Sequence, residues 1–203
     1  MRAASGVSSG RAWGRRGLVA LFLLGAAALE FLSHPRSAAP LGNGLVETRY
    51  APASDLERID LSLLRSATRS IDLAAYLLTD TPLIEALAEA ALHGARVRIY
   101  LDGEQESSGP GFAGRVRGMP GAQRIQVRVK PPRAEIMHLK SYVVDGRVLR
   151  TGSANFTFSG LKREDDDLVV IRDPAAISAF EETFEAMWQR GGNALEALGP
   201  SRP

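Results

Sequence analysis

The chain of 203 residues contains no cysteine, only three lysines and only three histidines. The absence of cysteine excludes disulfides and any zinc site built on thiolates. The small number of histidines leaves His34, His93 and His138 as the only side chains whose ordinary pKa lies near neutrality. Any chemistry that needs a histidine must therefore use one of these three.

A strong positive charge is also missing. The formal net charge is +2, and residues 40–203 hold 20 basic and 22 acidic side chains. No global field can therefore attract a polyanion to this part of the chain. Local basic patches remain possible, and we predict that Arg128 and Arg133 contact the substrate. They belong to a group of basic residues upstream of His138, namely Arg115, Arg117, Arg124, Arg128, Lys130 and Arg133. Such a group could bind a phosphate backbone or anionic lipid headgroups, or could consist of scattered surface residues.

The N-terminal region has an apolar run too short for an ordinary membrane span. Gly17 to Leu29 is a stretch of 13 apolar residues, preceded by Arg11, Arg15 and Arg16, whereas a spanning helix needs about 20. This pattern is typical of a secretory signal peptide. We predict a signal peptide at 1–32, with an uncleaved anchor that contacts the membrane as the alternative. The protein is then exported, either periplasmic or secreted, or held at the membrane facing away from the cytoplasm.

The remaining sequence has the pattern of a single α/β domain. We predict a linker at 33–43, a catalytic domain at 44–195 and a disordered tail at 196–203. Apolar runs typical of strands alternate with helical periodicity. Strands are predicted at 45–50, 71–78, 97–101, 125–129 and 167–172, and helices at 54–67, 81–92 and 174–190. This alternation predicts an α/β/α sandwich around a mixed sheet.

A β-hairpin is predicted between residues 138 and 153. Asp145-Gly146 separates two β-prone runs and is a strong signal for a two-residue turn. With such a turn, Lys140 faces Thr151 and His138 faces Ser153, so that all four side chains point to one side of the sheet. An imidazole, an ammonium and a hydroxyl would then converge on one anion, within reach of the amide of Asn155 just beyond the strand.

These residues carry a resemblance to a known family. His138, Lys140 and Asp145 match the HxKxxxxD signature of the phospholipase D superfamily, and Gly152, Ser153 and Asn155 match the GSxN element that follows it. The spacing is most similar to that of the short, single-motif bacterial endonucleases of this superfamily. The resemblance implies a phospholipase D-like fold and a phosphodiesterase that needs neither a metal nor a cofactor.

The resemblance also implies a role for each residue. His138 would attack phosphorus and form a phosphohistidine, while Lys140, Ser153 and Asn155 would bind the non-bridging oxygens. An acidic residue after GSxN would orient the histidine, and alignment on the following apolar strand selects Asp166. Glu164, Asp165 and Asp167 stay open as alternatives. Asp145 completes the signature, but an aspartate before glycine also has a structural interpretation as a turn residue, which we prefer.

Three classes of function are compatible with the sequence. The first is an exported nuclease acting on DNA or RNA; the second is a phospholipase D hydrolysing phosphatidylcholine or cardiolipin; the third is a binding module without catalysis. The complete set of motif residues argues against the third, and the short single motif favours the first. One motif supplies one histidine, since His93 is predicted to lie in the last turn of a helix. The resemblance therefore predicts a homodimer in which two copies of His138 share one active site.

Overall fold

The computed structural model describes residues 44–109, 111–132 and 134–196, with side chains as far as residue 194. The signal peptide or anchor at 1–32, the linker, Arg133 and residues 197–203 lie outside this part of the chain. The sequence analysis assigned Glu196 to the tail. In the structure it is the last residue of a strand, where it pairs with Val127 of the neighbouring strand. Within the described residues, no helix has the length and apolar character required to cross a membrane.

In the part of the chain that the structure describes, eight strands form one mixed sheet. They are β1 (Val46–Tyr50), β2 (Ser70–Ala75), β3 (Arg96–Leu101), β4 (Gln126–Val129), β5 (Lys140–Val144), β6 (Val148–Thr151), β7 (Asp167–Ile171) and β8 (Ala194–Glu196). The order across the sheet is β1-β7-β6-β5-β2-β3-β4-β8. Only β2, β3 and β4 run parallel to one another; every other pair is antiparallel.

Helices cover both faces of this sheet, so the predicted α/β/α sandwich is confirmed. They are α1 (Leu56–Arg65), α2 (Thr81–Leu92), α3 (Gly103–Ser107), α4 (Gly111–Val116), α5 (Phe158–Lys162) and α6 (Pro174–Trp188). The larger core packs α1, α2, α4 and α5 on one face. On the other face, α6 presents an aromatic stripe to the sheet through Phe180, Phe184 and Trp188. That stripe is core, because its residues recur at helical spacing and are all buried.

Local signals fixed most of the helix ends. Asp80 caps α2 by accepting a hydrogen bond from Leu83 N, with Pro82 in the first turn, and Asp173 caps α6 in the same way. The first helix begins at Leu56 rather than at the predicted residue 54, because Asp55 is the residue that caps it by accepting a hydrogen bond from Arg58 N. The predicted strand 71–78 ends at Ala75, and Leu78 beyond it forms an isolated bridge with Phe156.

The hairpin between β5 and β6 differs from the predicted one. Val144 pairs with Val148, so the loop has three residues, Asp145, Gly146 and Arg147. Both Asp145 and Gly146 have positive φ, at 55° and 65°, which suits a tight loop. The register is therefore shifted by one residue, and the predicted pairing of Lys140 with Thr151 is wrong. Thr151 instead meets Ser141, with 2.9 Å between their hydroxyl oxygens, on the opposite face from Lys140.

Candidate active site

The predicted site residues gather at one edge of the sheet. Because β5 and β7 run antiparallel to β2 and β6, respectively, the starts of β5 and β7 lie beside the ends of β2 and β6. His138 and Lys140 come from the start of β5, Ser153 and Asn155 from the loop after β6, and Asp166 from just before β7. Open α/β sheets bind ligands at the edge formed by the carboxyl ends of their parallel strands, and the ends of β2 and β3 lie at this same edge.

His138 is exposed and Lys140 is buried, and a single tyrosine contacts both. The ring of Tyr76 lies 4.5 Å from the His138 ring, centroid to centroid. The Lys140 ammonium lies 4.9 Å from the same Tyr76 centroid and donates a hydrogen bond to the His138 carbonyl oxygen at 2.8 Å. Burial lowers the pKa of Lys140, Asp166 raises it, and Arg150 lowers it further. The site therefore holds a desolvated cation beside an accessible imidazole.

The GSxN loop is fixed against its neighbours. Ser153 N donates to an Asp167 carboxylate oxygen and Asp167 N donates to Ser153 Oγ, each at 2.9 Å, and hydrogen bonding with Ser153 lowers the pKa of Asp167. Gly152 has a φ of 138°, and a Cβ there would lie 2.4 Å from the Asp167 carbonyl oxygen. The glycine thus permits the loop to approach β7.

Asn155 supplies an unused hydrogen-bond acceptor. Its Oδ1 is buried, and no partner for this atom is found in the described part of the chain. The next residue, Phe156, is held to the loop after β2: its amide donates to the Leu77 carbonyl, and its own carbonyl accepts from Thr79 N and Asp80 N. A buried amide oxygen without a partner calls for an explanation, and a hydrogen-bond donor on a bound substrate, such as a hydroxyl group, would provide one.

The structure separates the four acidic candidates. Asp167 binds the GSxN loop, Glu164 and Asp165 are exposed, and Asp166 is half-buried. Asp166 is near enough to Lys140 to raise the pKa of the lysine. Among the described residues no hydrogen bond joins Asp166 to His138, so the predicted orientation of the histidine by Asp166 stays a prediction.

Asp145 lies at the far end of β5, about 17 Å from Lys140 at strand spacing. Its carboxylate accepts from the amides of Thr68, Arg69 and Ser70 at 2.8–3.3 Å and from the Thr68 hydroxyl at 2.8 Å. These bonds lower the pKa of Asp145 to about 2 even though its burial acts to raise it. The structure thus supports the structural interpretation of this residue and places it far from His138 and Lys140.

The basic group upstream of His138 is dispersed. Arg128 lies under α6, where its guanidinium stacks 4.7 Å from the Trp188 ring centroid and donates to the Trp188 carbonyl. It therefore packs against the helix that covers the face of the sheet opposite Lys140, and its predicted contact with substrate is not supported. Arg124 donates to the Leu92 carbonyl, and Lys130 donates to the Glu135 carbonyl. Of the described members, Arg115 alone lines the cleft next to Tyr76.

Sequence analysis missed the buried residues that support the backbone of the site. Arg150 is fully buried and donates to both Asp60 carboxylate oxygens at 3.0 and 3.1 Å. Its Nη1 also donates to the carbonyls of Lys140 at 2.8 Å and Ala154 at 3.3 Å, which brings the start of β5 beside the GSxN loop. An arginine at a core position of a strand was a signal available in the sequence, since fully buried arginines are nearly always paired.

Asp102 forms a hydrogen bond with the backbone just before His138. One of its carboxylate oxygens accepts from the amides of Glu104 and Gln105 at 3.2 Å, and the other accepts from Met137 N at 2.8 Å. A polar residue directly after a buried strand was visible in the sequence, but its partner 35 residues away was not. Within the described residues no group of three or more histidine, aspartate or glutamate side chains could hold a metal ion.

The fold and the site together define a phospholipase D-like protein. The family model described as "Cardiolipin synthase, PLD-like domain" matches residues 61–188. The chain belongs to the phospholipase D superfamily, and the fold expected from the resemblance is confirmed. Among solved structures, Nuc from Salmonella typhimurium, a phospholipase D family member, is 27% identical and superposes with a TM-score of 0.65, covering 74% of this chain and 98% of Nuc.

Curated relatives include proteins named for phospholipids. A mitochondrial cardiolipin hydrolase of Chlamydomonas reinhardtii is 31% identical over 142 residues, which are 70% of this chain and 60% of that protein. A phospholipase D of Rickettsia bellii is 26% identical over 153 residues, covering 75% of this chain and 73% of that protein. The matched region is thus about 60% of the length of the first of these relatives.

Proposed function

We propose that this protein is a metal-independent phosphodiesterase that works through a phosphohistidine. The observation that carries the proposal is the pairing of exposed His138 with buried Lys140 against one ring, Tyr76, at the edge where the GSxN loop ends. A desolvated ammonium interacts strongly with an anion that reaches it, because little water screens the charge. His138 is accessible to attack the phosphorus of that anion.

The covalent steps follow from these positions. A ring nitrogen of His138 forms a bond to phosphorus as the bond to the leaving oxygen breaks, and water then cleaves the P–N bond and restores the imidazole. Lys140 and the side-chain amide N–H groups of Asn155 donate to the non-bridging oxygens, where negative charge grows in the transition state. Ser153 adds its hydroxyl hydrogen, since its Oγ accepts from Asp167 N and keeps its own proton to donate.

The departing oxygen needs a proton, and we assign its source to a second copy of the chain. His93 is the C-cap of α2, a helix about 18 Å long that starts at the site edge and runs away from it. His93 therefore lies at the opposite edge of the sheet. A homodimer whose two-fold axis passes beside the start of β5 would bring two His138 rings together, one as nucleophile and one as general acid.

Nucleic acid is the first substrate candidate, supported by the likeness to Nuc over 98% of its length and by the short single motif. Cardiolipin is the second, because the Chlamydomonas relative is named for its hydrolysis. Export, to the periplasm or beyond, is part of the proposal and rests on the N-terminal sequence alone. A fusion of residues 1–43 to a reporter enzyme that is active only outside the cytoplasm tests it, and an inactive reporter would contradict export.

The activity is tested with the purified protein in excess EDTA. Single-stranded DNA, duplex DNA, RNA, and vesicles of phosphatidylcholine or cardiolipin are offered in parallel. We expect turnover of at least one substrate, its loss in His138→Ala and Lys140→Met, and an acid-labile, alkali-stable phosphoenzyme from wild type only. The exposed His93→Ala variant is the control and should remain active. Loss of activity on chelation, restored by a divalent ion, would contradict the mechanism.

A further inference from the structure

A cleft opens beside the catalytic groups and is not used by the mechanism above. It has a cavity volume of about 240 Å³ and lies between the loop that follows β2 and the helices α3 and α4. Since β2 and β3 are parallel, this loop and α3 lie at the same sheet edge as His138. Pockets for drug-sized ligands start at roughly 300 Å³, so this cleft suits one small polar group.

Tyr76 is the wall that separates the cleft from the site. Its ring packs 4.5 Å from the His138 ring, and its hydroxyl accepts from Gln105 Nε2 at 3.0 Å on the side of the cleft. Tyr76 and Gln105 both line the cavity. A ligand in the cleft would therefore be one aromatic ring away from a phosphate attacked by His138, which makes the two positions neighbouring subsites for one substrate.

The lining of the cleft is polar and contains a cation. Arg115 is half-buried there and makes no salt bridge with any residue in the described ranges, while Thr79 and Ser108 add hydroxyl groups. Glu106 also lines the cavity, but one of its carboxylate oxygens accepts from Phe112 N at the start of α4. Arg115 offsets that negative charge and has a guanidinium fork that matches a phosphate.

We propose that this cleft binds a second phosphate of the substrate, with Arg115 as its main contact. The proposal rests on the phosphodiesterase activity proposed above and narrows its substrates to molecules in which three carbon atoms link two phosphodiesters. The polynucleotide backbone has this P–O–C–C–C–O–P unit between successive phosphates, and cardiolipin has it across its central glycerol. One subsite would thus serve both substrate candidates, whereas phosphatidylcholine lacks the second phosphate.

Two matched substrate pairs test the proposal in EDTA. Cardiolipin vesicles are compared with phosphatidylglycerol vesicles, and the trinucleotide d(TpTpT) with the dinucleotide d(TpT); in each pair only the first has a second phosphodiester. The selectivity is the ratio of kcat/KM for the first to kcat/KM for the second. We expect wild type to prefer the two-phosphate member of at least one pair by 10-fold or more, since charge-assisted bonds to one phosphate contribute at least that much.

Variants of two neighbouring arginines then assign the effect. Arg115→Gln should lower the selectivity by about 10-fold or more, and Arg115→Lys should keep part of it. Arg117 is exposed and lies outside the cleft, so Arg117→Gln should leave the selectivity unchanged. As a measurement without variants, propane-1,3-diol bisphosphate should inhibit wild type at least about 10-fold more strongly than propyl phosphate.

The outcomes are distinct. Preference in the lipid pair identifies the lipid as the source of the second phosphate, and preference in the nucleotide pair identifies nucleic acid. A selectivity near one in both pairs, or a selectivity that Arg115→Gln leaves intact, overturns the second-phosphate subsite while the phosphodiesterase stands. No turnover of any of the four substrates overturns this subsite, and the proposed function falls with it only when DNA, RNA and phosphatidylcholine are not turned over either.

Discussion

Lys140, the first residue of β5, interacts electrostatically with Asp166. Burial lowers the pKa of Lys140 and Asp166 raises it, so Asp166 favours the protonated form of the buried ammonium. A lysine that must carry its charge to stabilise the transition state loses function as the pH rises through its pKa. Asp166 thereby extends the working range towards higher pH, whether or not it also orients His138.

We predict that Asp166→Asn reduces kcat by about 10- to 10,000-fold with little change in KM, as for the loss of a supporting carboxylate. Because the pKa of Lys140 falls when Asp166 is neutralised, the basic limb of the pH–rate profile should also move to lower pH. Asp165→Asn is the control, since Asp165 is exposed. A larger loss in Asp165→Asn or Glu164→Gln would assign the supporting role to that residue instead.

Asp145 contributes to stability through its charge. Its pKa is lowered from 3.8 to about 2 in the folded protein, a difference equivalent to about 2 kcal/mol at neutral pH. The contribution is complete above the unfolded pKa near 4 and is lost as the pH falls towards 2. The amides of residues 68–70 that bind this carboxylate form the entry to β2, so the effect is structural.

For Asp145→Asn we therefore expect a free energy of unfolding about 2 kcal/mol below wild type at pH 7, with the difference shrinking as the pH is lowered through 3. Urea denaturation at a series of pH values measures this. The rate per folded molecule should stay close to wild type, because Asp145 is at the far end of β5. A large loss of kcat in a fully folded Asp145→Asn protein would show that Asp145 has a role in catalysis after all.

At the scale of elements, Arg150 ties β5, β6, α1 and the GSxN loop together. Its guanidinium is bound to Asp60 from α1 and to two carbonyls, and it stacks 4.5 Å from the Phe156 ring centroid. Burial raises the pKa of Asp60, although Arg150 and the Tyr142 hydroxyl stabilise its charged form. Removing one member of this buried pair leaves the other charge without compensation.

We predict that Arg150→Met lowers the free energy of unfolding by about 3–5 kcal/mol. Arg96→Met, which removes a half-exposed partner 3.1 Å from Asp72, should cost no more than about 1 kcal/mol. Both values come from urea denaturation at neutral pH. Equal losses in the two variants would show that the buried network contributes no more than a surface ion pair.

For the whole molecule, the proposed shared site makes a stoichiometric prediction. Wild type and His138→Asn are mixed in equal amounts and allowed to exchange subunits completely. A heterodimer has one His138 and should be inactive, so about one quarter of the activity of the same amount of wild type should remain. Light scattering should give the mass of a dimer at the assay concentration. A residual activity near one half, or an active monomer, would reject the shared site.

The sequence by itself determined the class of fold and which residues to propose as the catalytic group. The alternation of strand and helix periods predicted the α/β/α sandwich, because those periods follow from side-chain geometry along the backbone. The spacing of His138, Lys140, Ser153 and Asn155 predicted one site, because a hairpin brings residues close in sequence close in space. The predicted helix starts at 81 and 174 are confirmed, because the signals that begin a helix act within one turn.

Only the tertiary structure decided the remaining features, because they depend on contacts between residues far apart in the chain. The hairpin loop has three residues rather than two, since Asp145 is bound by amides more than 70 positions away. Arg128 was predicted to meet substrate, yet it packs on Trp188, 60 residues along the chain. Asp60, Arg150 and Asp102 act through partners that no local pattern reveals. Periodicity and motif spacing record neighbours in sequence, whereas burial and charge pairing are set by the assembled fold.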